Sequence, residues 1–282
     1  MREIPRPSTS GKRPAPETSG SSPASSRPFR EVVSESAGPE EACPYLPDTV
    51  SRMRYRQIES CSVETYQLLL ERGWRRFGRL FFRPDCQACG ECRSLRVRVD
   101  DFRPNRSMRR TWDRNRDLRI LLHRPSTSAS HLELYRRYHA DMAERRGWSA
   151  KTIDTFEYFV TFVQGAQDFG WEMTYYLEDR LVAVALVDVL PHALSAVYCY
   201  YDPDHRTRGL GVYSVLRQLE LARARGRPHL YLGYRVLGNP SMRYKARYRP
   251  HELLDGRPET TEPSVWRLDS TFVPIQSATF DG

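Results

Sequence analysis

Three of the six cysteines stand close together, as Cys86, Cys89 and Cys92 in the spacing C-x2-C-x2-C. A fourth, Cys43, lies upstream, directly before a proline. Four sulfur ligands are typical of tetrahedral zinc sites and of iron–sulfur clusters. We therefore predict that Cys43, Cys86, Cys89 and Cys92 bind zinc or an iron–sulfur cluster. A set of thiols without metal is the alternative.

A second motif, R-x-x-G-x-G, runs from Arg206 to Gly211, directly before a predicted amphipathic helix. Glycines at such a turn allow backbone amides at a helix N-terminus to approach phosphate groups. The motif has the form seen in GNAT-type N-acyltransferases, where it binds the pyrophosphate of acyl-CoA. An ordinary glycine-rich turn between a strand and a helix is the alternative.

Arginine dominates the charge of the chain. The 282 residues carry 44 Lys and Arg against 35 Asp and Glu, a formal net charge of +9. The window 52–124 alone holds 19 Arg and nine acidic residues. A second basic cluster consists of Arg243, Lys245, Arg247 and Arg249. Such clusters either form a solvated face or bind an anionic polymer, since Arg neutralises phosphates.

The composition also excludes several classes of protein. Hydrophobic residues make up 39% of the chain, which is enough for a sizeable core. No apolar run approaches the 18 residues expected of a membrane-spanning helix, and the first 20 residues lack the apolar segment of a secretory signal. Six cysteines in a chain of this length favour reduced thiols or metal ligands over a disulfide framework. We therefore expect a cytoplasmic protein.

The residue pattern predicts an α+β fold, in which a small cysteine-containing N-terminal domain precedes a GNAT-like acyltransferase domain with helices on a mixed sheet. The predicted units are a disordered tail (1–41), the cysteine-rich domain (42–100), the acyltransferase domain (101–256) and a C-terminal tail (257–282). Predicted helices start at Ser62, at Ser130 with Glu133 in a capping box, and at Asp154. A further helix covers 212–224. Predicted strands cover 74–83, 95–99, 171–177, 181–189, 194–201 and 229–234.

Several motifs together resemble the leucyl/arginyl-tRNA–protein transferase family, and most closely its bacterial aspartate/glutamate leucyltransferases. In the first half they are C-P-Y-L-P from Cys43, the cysteine cluster, F-R-P-N-R-S (102–107) and R-R-T-W (109–112). In the second half they are Y-D-P-D (201–204), Y-L-G-Y (231–234) and M-R-Y-K-A-R-Y (242–248). The resemblance covers about residues 42–254. Leu46 stands where eukaryotic members have a second cysteine, so Cys92 would have to replace that ligand.

The resemblance implies a function. Such an enzyme transfers an amino acid from aminoacyl-tRNA to the N-terminal α-amine of proteins that begin with Asp or Glu, and so marks them for degradation by the N-end rule. Leucine is favoured as the transferred amino acid, and arginine is the alternative. The chemistry needs no cofactor and no membrane. Two other readings stay open, namely an acyl-CoA-dependent GNAT-type acyltransferase and a non-catalytic RNA-binding zinc module.

Roles follow for individual residues. The predicted catalytic residues are Asp202, Tyr231 and Tyr234, with an Asx turn before Pro203 as the alternative role of Asp202. The predicted tRNA-binding residues are Arg206, Gly209, Gly211, Tyr244, Lys245 and Arg247. The predicted acceptor-binding residues are Arg103, Arg109 and Arg110, with tRNA phosphates as the alternative partner of these three side chains. The largely apolar strand 181–190 fits a leucine side chain, although its Asp188 is the carboxylate that an arginine pocket would need.

Overall fold

The computed structural model describes residues 2–3, 32–149, 152–166 and 168–270. In these ranges the strands are β1 (Arg2–Glu3), β2 (Val32–Ala37), β3 (Glu41–Ala42), β4 (Val50–Ser51), β5 (Met53–Ile58), β6 (Arg75–Phe77), β7 (Leu80–Pro84), β8 (Arg93–Arg98), β9 (Arg119–His123), β10 (Gly170–Leu177), β11 (Arg180–Val189), β12 (Ala193–Tyr201), β13 (His229–Arg235), β14 (His251–Leu254) and β15 (Trp266–Leu268). The α-helices are α1 (Val63–Glu71), α2 (Arg106–Arg114), α3 (Ala129–Arg146), α4 (Thr155–Tyr158), α5 (Leu210–Ala224) and α6 (Pro240–Arg243). A π-helical turn covers Phe159–Val163, and 3-10 turns cover Pro203–Arg208 and Tyr244–Arg247.

These strands form one large mixed sheet and two small ones. The large sheet has the order β1-β9-β10-β11-β12-β13-β8-β14-β15. A four-stranded sheet has the order β2-β5-β7-β6, and β3 pairs with β4. Strands β12 and β13 are parallel, whereas β10, β11 and β12 form an antiparallel meander. Because parallel neighbours need a crossover connection, helix α5 joins β12 to β13.

Helices cover both faces of the large sheet around its central strand β11. The residues of β11 from Leu181 to Asp188 are all buried, as expected for a strand with packing on both faces. On one face the core includes residues of α2 and α5, and on the other it includes residues of α3, α4 and the π-helical turn. The result is a mixed α+β architecture with the meander at its centre, and the predicted α+β class is confirmed.

A third apolar cluster attaches α1 and the four-stranded sheet to the large sheet. Tyr66 of α1, Trp74 and Phe81 pack in this cluster with Leu190 and Tyr231 of the large sheet region, and all are almost fully buried. The four-stranded sheet therefore shares a core with the large one, and it can contribute side chains to a site there.

Most predicted elements are present. Helix α1 begins after Ser62, whose side chain accepts a hydrogen bond from the amide of Thr65. Asp154 and Glu157 form a capping box at α4. The hairpin of β10 and β11, strand β12, helix α5 and strand β13 agree with the sequence prediction to within two residues.

Two element predictions are wrong in detail. The strand predicted over 74–83 is two strands, β6 and β7, because Gly78 turns the chain at φ +55° against the carbonyl of Val160. Helix α3 starts after Ser128, not at Ser130, since the Ser128 hydroxyl accepts from the amide of His131.

Both segments predicted as tails contain strands. Strand β2 lies within the predicted tail 1–41, so the part of that tail from Val32 to Ala37 is a strand. Residues 4–31 lie outside the described residues, as do 271–282 of the predicted C-terminal tail. Strand β15 of that C-terminal tail pairs with β14. Strand β8, from the predicted cysteine-rich domain, lies between β13 and β14 in the large sheet. The domain boundary near residue 100 stays a prediction.

No helix in the described ranges combines the length and apolar composition that crossing a bilayer demands.

Candidate active site

The parallel strands β12 and β13 separate in the middle of the large sheet. They pair only at Ala193 with His229, Leu194 with Leu230 and Ser195 with Tyr231. Beyond these pairs β12 stays bonded to β11 on its other side, and β13 stays bonded to β8. The stretch 196–199 of β12 is only half-buried, although its strand is central. The two strands therefore form a fork that opens after Ser195 and Tyr231.

A buried arginine stands at the closed end of this fork. Arg75, the first residue of β6, keeps only 7% of its surface exposed. Its Nη2 donates to the carbonyl oxygen of Ala196 at 2.7 Å, one residue beyond the last pair of β12. Its Nη1 is buried and has no hydrogen-bond partner in the described residues. Arg75 therefore holds one strand of the fork and retains an unused donor.

A buried lysine holds the other strand. Lys245, in the 3-10 turn after α6, is 9% exposed, and its Nζ donates to the carbonyl oxygen of Tyr234 at 2.9 Å. Burial, together with the positive charge of Arg75, lowers the pKa of Lys245 to about 7, whereas Cys92 opposes the shift. Lys245 was predicted to bind tRNA, but its buried amine is not placed as a surface contact to phosphate.

Gly233 of β13 lies between these two cations. Its φ of +81° is in the left-handed region, and β13 shifts register against β8 at this point. A Cβ at this position would be 3.4 Å from Nζ of Lys245 and 3.7 Å from Nε and Nη2 of Arg75. Glycine therefore keeps open the space that both cations approach.

The carboxylate of Asp202 is fully buried and engaged. It accepts hydrogen bonds from Arg137 at 3.0 Å and from Arg180 at 2.6 Å. It also accepts from the amide of Asp204 and so caps the turn Pro203–Arg208. The structure thus gives Asp202 a role in fixing the loop between β12 and α5. Its function as a catalytic group stays a prediction.

The two predicted catalytic tyrosines are also buried. The Tyr231 hydroxyl accepts from Nη1 of Arg96 at 3.2 Å, and burial raises the pKa of Tyr231 to about 12. The Tyr234 hydroxyl donates to the carbonyl oxygen of Gly73 at 2.8 Å, pointing away from the contact with Lys245. Both tyrosines lie on β13 at the fork, and Tyr234 contacts Lys245 through its main-chain carbonyl oxygen and not through its hydroxyl.

The R-x-x-G-x-G loop is packed against helix α2. Arg206 pairs with Asp141 at 2.5 Å, and Arg208 pairs with Asp117 at 2.9 Å. Gly209 begins α5 at φ +70°, and a Cβ there would lie 3.3 Å from Thr111 of α2. The two guanidinium groups of the loop are therefore already neutralised by carboxylates of the protein.

Helix α2 presents an exposed basic surface. Met108 is its one buried residue, and the side chains of Arg103, Arg109 and Arg110 at or near it are exposed. Arg103 donates to the carbonyl oxygen of Asp100, and Arg109 donates to that of Pro104. Tyr244 and Arg247 are exposed as well, on the turn that buries Lys245. The structure does not bring Arg103, Arg109 or Arg110 into contact with Arg75 or Lys245.

The four cysteines of the predicted metal site lie in one neighbourhood. All are half-buried, and burial together with the nearness of Cys43, Cys86 and Cys89 raises the pKa of Cys92 to about 12. The guanidinium of Arg257 donates to the carbonyl oxygens of Cys86 and Cys89, both at 2.5 Å, and so holds their loop.

These cysteines do not form a ready metal site. Within the ranges that the structure covers, no three His, Cys, Asp or Glu side chains are grouped so that they could hold a metal ion. The side chains as arranged here do not fit the predicted zinc or iron–sulfur group, and the metal stays a prediction.

The sequence did not single out Arg75, and it left open whether Asp188 pairs with a transferred arginine. Arg75 was counted as part of the arginine-rich window 52–124, although its position in an aromatic strand segment was a signal of burial. Asp188 accepts hydrogen bonds from Arg76 Nε at 2.9 Å and from the Tyr66 hydroxyl at 2.8 Å. Because both contacts are buried, Asp188 is not free to pair with a substrate guanidinium.

Two family models match the chain. One, described as "Arginine-tRNA-protein transferase, N terminus", matches residues 41–110, and the other, "Arginine-tRNA-protein transferase, C terminus", matches residues 130–255. The chain is 42% identical over 226 residues to an aspartate/glutamate leucyltransferase of Campylobacter jejuni, and this match covers 80% of this chain and 95% of that protein. It is 36% identical over 229 residues to the aspartate/glutamate leucyltransferase of Helicobacter hepaticus, with 81% and 95% covered. Among solved structures, L-PGS from Bacillus licheniformis matches with a TM-score of 0.39 and 16% identity, over 73% of this chain and 63% of that one.

Proposed function

The chain belongs to the arginine-tRNA-protein transferase family, and from this premise we propose that it transfers leucine from leucyl-tRNA to the α-amine of proteins that begin with Asp or Glu. Its relatives at 36–42% identity are named aspartate/glutamate leucyltransferases. The chain is accordingly a transferase, and tRNA and protein are its substrates. The leucine added to the N-terminus marks the acceptor for degradation.

The reaction is an aminolysis of an ester. The neutral α-amine of the acceptor attacks the ester carbonyl carbon of leucyl-tRNA, the bond to the ribose oxygen breaks, and an amide forms. The amine loses one proton, and the ribose oxygen gains one. The α-amine has an ordinary pKa of about 7.7–8.0, so a usable neutral fraction exists at pH 7. Holding amine and ester together can supply roughly 7–11 kcal/mol of the acceleration.

The fork between β12 and β13 supports this reaction best, and it is the observation that carries the proposal. In a GNAT-like arrangement, β12, α5 and β13 form one side of the acyltransferase domain (101–256), and the opening of the strands accommodates the reacting groups. Arg75 and Lys245 line this opening from outside the two strands, through Ala196 and Tyr234. A buried hydrogen-bond donor near the reacting carbonyl stabilises the negative charge that develops on its oxygen more strongly than a donor in water, because few water molecules screen it.

The pairing of Asp188 favours leucine as the transferred amino acid. An arginyl group needs a buried carboxylate, since an unpaired guanidinium is costly to bury. Asp188 was the candidate for that role, and it is already bonded to Arg76 and Tyr66. A leucine side chain needs no such partner.

The exposed arginines of α2 support binding of tRNA. Arg106 and Arg110 are exposed and form no ion pair with a carboxylate in the described residues. Because free guanidinium groups neutralise phosphates and release counterions, this helix is a suitable contact for the tRNA backbone. The predicted role of Arg103, Arg109 and Arg110 in this proposal is therefore with tRNA and not with the acceptor.

The acyl-CoA alternative loses its main support. It depended on Arg206 and the glycines of the R-x-x-G-x-G loop as a pyrophosphate site. Arg206 is paired with Asp141, Arg208 is paired with Asp117, and Gly209 lies against Thr111. An incoming pyrophosphate would have to displace these contacts.

A comparison of donors tests the proposal. An Asp-initiated peptide is incubated with the purified protein and labelled leucyl-tRNA, arginyl-tRNA or acetyl-CoA at matched concentrations. We expect label on the peptide with leucyl-tRNA, much less with arginyl-tRNA and none with acetyl-CoA. Transfer from acetyl-CoA alone, or tRNA binding without transfer from any donor, would contradict the proposal.

A further inference from the structure

Two neighbouring arginines of β6 have opposite electrostatic surroundings. Arg76 is 4% exposed and is neutralised by Asp188, with the Tyr66 hydroxyl bonded to the same carboxylate. Arg75 is 7% exposed, and within the described residues it bonds only to the neutral carbonyl of Ala196. The described residues therefore supply a counter-ion to one of these buried guanidinium groups and not to the other.

Lys245 increases the unbalanced positive charge around Arg75. Its Nζ bonds to the carbonyl of Tyr234 and contacts Sδ of Met242 at 3.7 Å, and both partners are uncharged. In the described part of the chain, no Asp or Glu forms an ion pair with either Arg75 or Lys245. A buried guanidinium without a counter-ion is costly, and the Lys245 amine beside it adds a second cation when it is protonated. The two groups facing one space therefore indicate a site for an anion that comes from outside.

The space between these cations is defined by Gly233. The Cβ position of Gly233 is 3.4 Å from Nζ of Lys245 and 3.7 Å from two nitrogens of Arg75. The buried Nη1 of Arg75 has no acceptor among the residues that the structure describes. One small anion at this point would therefore supply the missing acceptor to Arg75 and a counter-charge to Lys245.

We propose that Arg75 and Lys245 form the subsite that binds the side-chain carboxylate of the acceptor's N-terminal Asp or Glu. This inference rests on the proposed function for the identity of the acceptor. Nη1 of Arg75 donates to one carboxylate oxygen, and Nζ of Lys245 donates to the carboxylate from the β13 side of the fork. The acceptor enters with its side chain toward the closed end, and its α-amine stays toward the open end.

The position favours a carboxylate over a phosphodiester of tRNA. Ala196 directly follows the last paired residue of β12, so Arg75 lies where the strands are still close together. A phosphodiester continues into a sugar on both sides, and it needs a channel open at two ends. A side-chain carboxylate is the end of a chain and fits a closed end. The exposed arginines of α2 remain available for tRNA phosphates.

The test is direct binding of peptides in the absence of tRNA. Two peptides that differ only in an N-terminal Asp or Asn are titrated into the full-length protein and followed by calorimetry. The variants are Arg75→Gln and Lys245→Gln, with Arg116→Gln as the control, since the Arg116 side chain is 73% exposed. We expect the wild type and the control to prefer the Asp peptide by roughly 10- to 150-fold, the range of a charge-assisted hydrogen bond. Each test variant should reduce that preference to nearly one.

The affinity for leucyl-tRNA distinguishes a phosphate from the carboxylate. The proposal predicts that Arg75→Gln changes this affinity by less than about twofold. An unchanged Asp preference together with weakened tRNA binding would overturn it and assign the anion to tRNA. If Arg75→Gln does not fold, the peptide preference of Lys245→Gln tests the proposal instead. Lys245→Arg keeps the positive charge, so we expect it to keep the preference for the Asp peptide. Because no donor is present, a wild type that prefers Asp peptides but transfers no leucine would support this subsite while refuting the proposed function.

Discussion

Arg76 and Asp188 form a buried ion pair that joins the four-stranded sheet to the central meander, with Nε of Arg76 2.9 Å from Oδ2 of Asp188. The two side chains are 3% and 1% exposed. The pair is separated by 112 positions in the chain. It therefore fixes β6, and with it Arg75, against β11 beside the fork.

Asp188→Asn should lower stability without changing the choice of amino acid. Removal of one partner from a buried ion pair leaves the other charge uncompensated, which typically costs about 3–5 kcal/mol. The measurement is the free energy of unfolding in denaturant, together with the ratio of leucyl to arginyl transfer. Asp179→Asn is the control, because the Asp179 side chain is fully exposed and its change should stay within about 0.5 kcal/mol. A shift of the transfer ratio in Asp188→Asn would show that Asp188 contacts the aminoacyl group.

Gly233→Ala should weaken acceptor binding beyond its cost in stability. Both Gly233 and Gly226 have positive φ, at +81° and +63°, so alanine at either position should cost about 1–2 kcal/mol in backbone strain. A Cβ at Gly226 meets no atom within 4 Å, whereas one at Gly233 enters the space between Arg75 and Lys245. We expect a similar loss of unfolding free energy in both variants, and a loss of affinity for an Asp-initiated peptide of about tenfold in Gly233→Ala alone. Equal affinities of the two variants would argue against an anion at Gly233.

Binding of an Asp-initiated peptide should weaken as the pH rises through about 7. The pKa of Lys245 is about 7, so its amine is charged below that pH and neutral above it. Two ionisable groups that face it keep one charge state between pH 6 and 9, because burial raises the pKa of Cys92 to about 12 and raises that of Tyr234 well above its ordinary value. The acceptor carboxylate is ionised throughout. An anion therefore loses one of its two cations as Lys245 deprotonates.

Lys245→Arg provides the control for this pH dependence. Arginine stays charged at every pH in the range, so the variant should lose the component of the pH profile that Lys245 causes. Titration of the peptide's own α-amine affects both proteins alike and cancels in the comparison. Identical pH profiles for wild type and Lys245→Arg would remove Lys245 from the acceptor subsite.

The salt dependence of tRNA binding should separate the exposed arginines from the buried lysine. Each phosphate contact contributes roughly −0.7 to −0.9 to the slope of log affinity against log salt. Arg110→Ala should therefore make the slope shallower by about that amount, because Arg110 is exposed on α2. Lys245→Gln should leave the slope unchanged, because its Nζ is buried against Tyr234. A shallower slope in Lys245→Gln, with no change of slope in Arg110→Ala, would place the tRNA backbone at the fork.

The sequence predicts elements more successfully than it predicts contacts. The caps at Ser62 and Asp154 and the hairpin of β10 and β11 depend on residues close together in the chain, and all are present. The fork could not be predicted, because the separation of β12 and β13 is a property of tertiary pairing. Local pattern also failed at Gly78, where a positive φ of +55° turns the chain between β6 and β7 and divides a predicted strand in two.

The candidate site shows the same limit. Tyr231, Tyr234 and Lys245 were selected from motifs, and all three do border the fork. Their predicted roles depended on free hydroxyl and amine groups, whereas Tyr234 acts at Lys245 through its carbonyl oxygen. Arg75 lies in an aromatic strand segment, which indicates burial, but the sequence does not show that its partner is a carbonyl oxygen and not a carboxylate.

Leucyl transfer to acidic N-termini is tested most directly by locating the added residue on the acceptor. An Asp-initiated peptide that also contains an internal lysine is incubated with the protein and leucyl-tRNA, and the product is sequenced by mass spectrometry. We expect a gain of one leucyl residue on the N-terminal α-amine, and no gain on a matched peptide that begins with Asn. Leucine on the lysine side chain, equal modification of both peptides, or no modification of either would contradict this expectation.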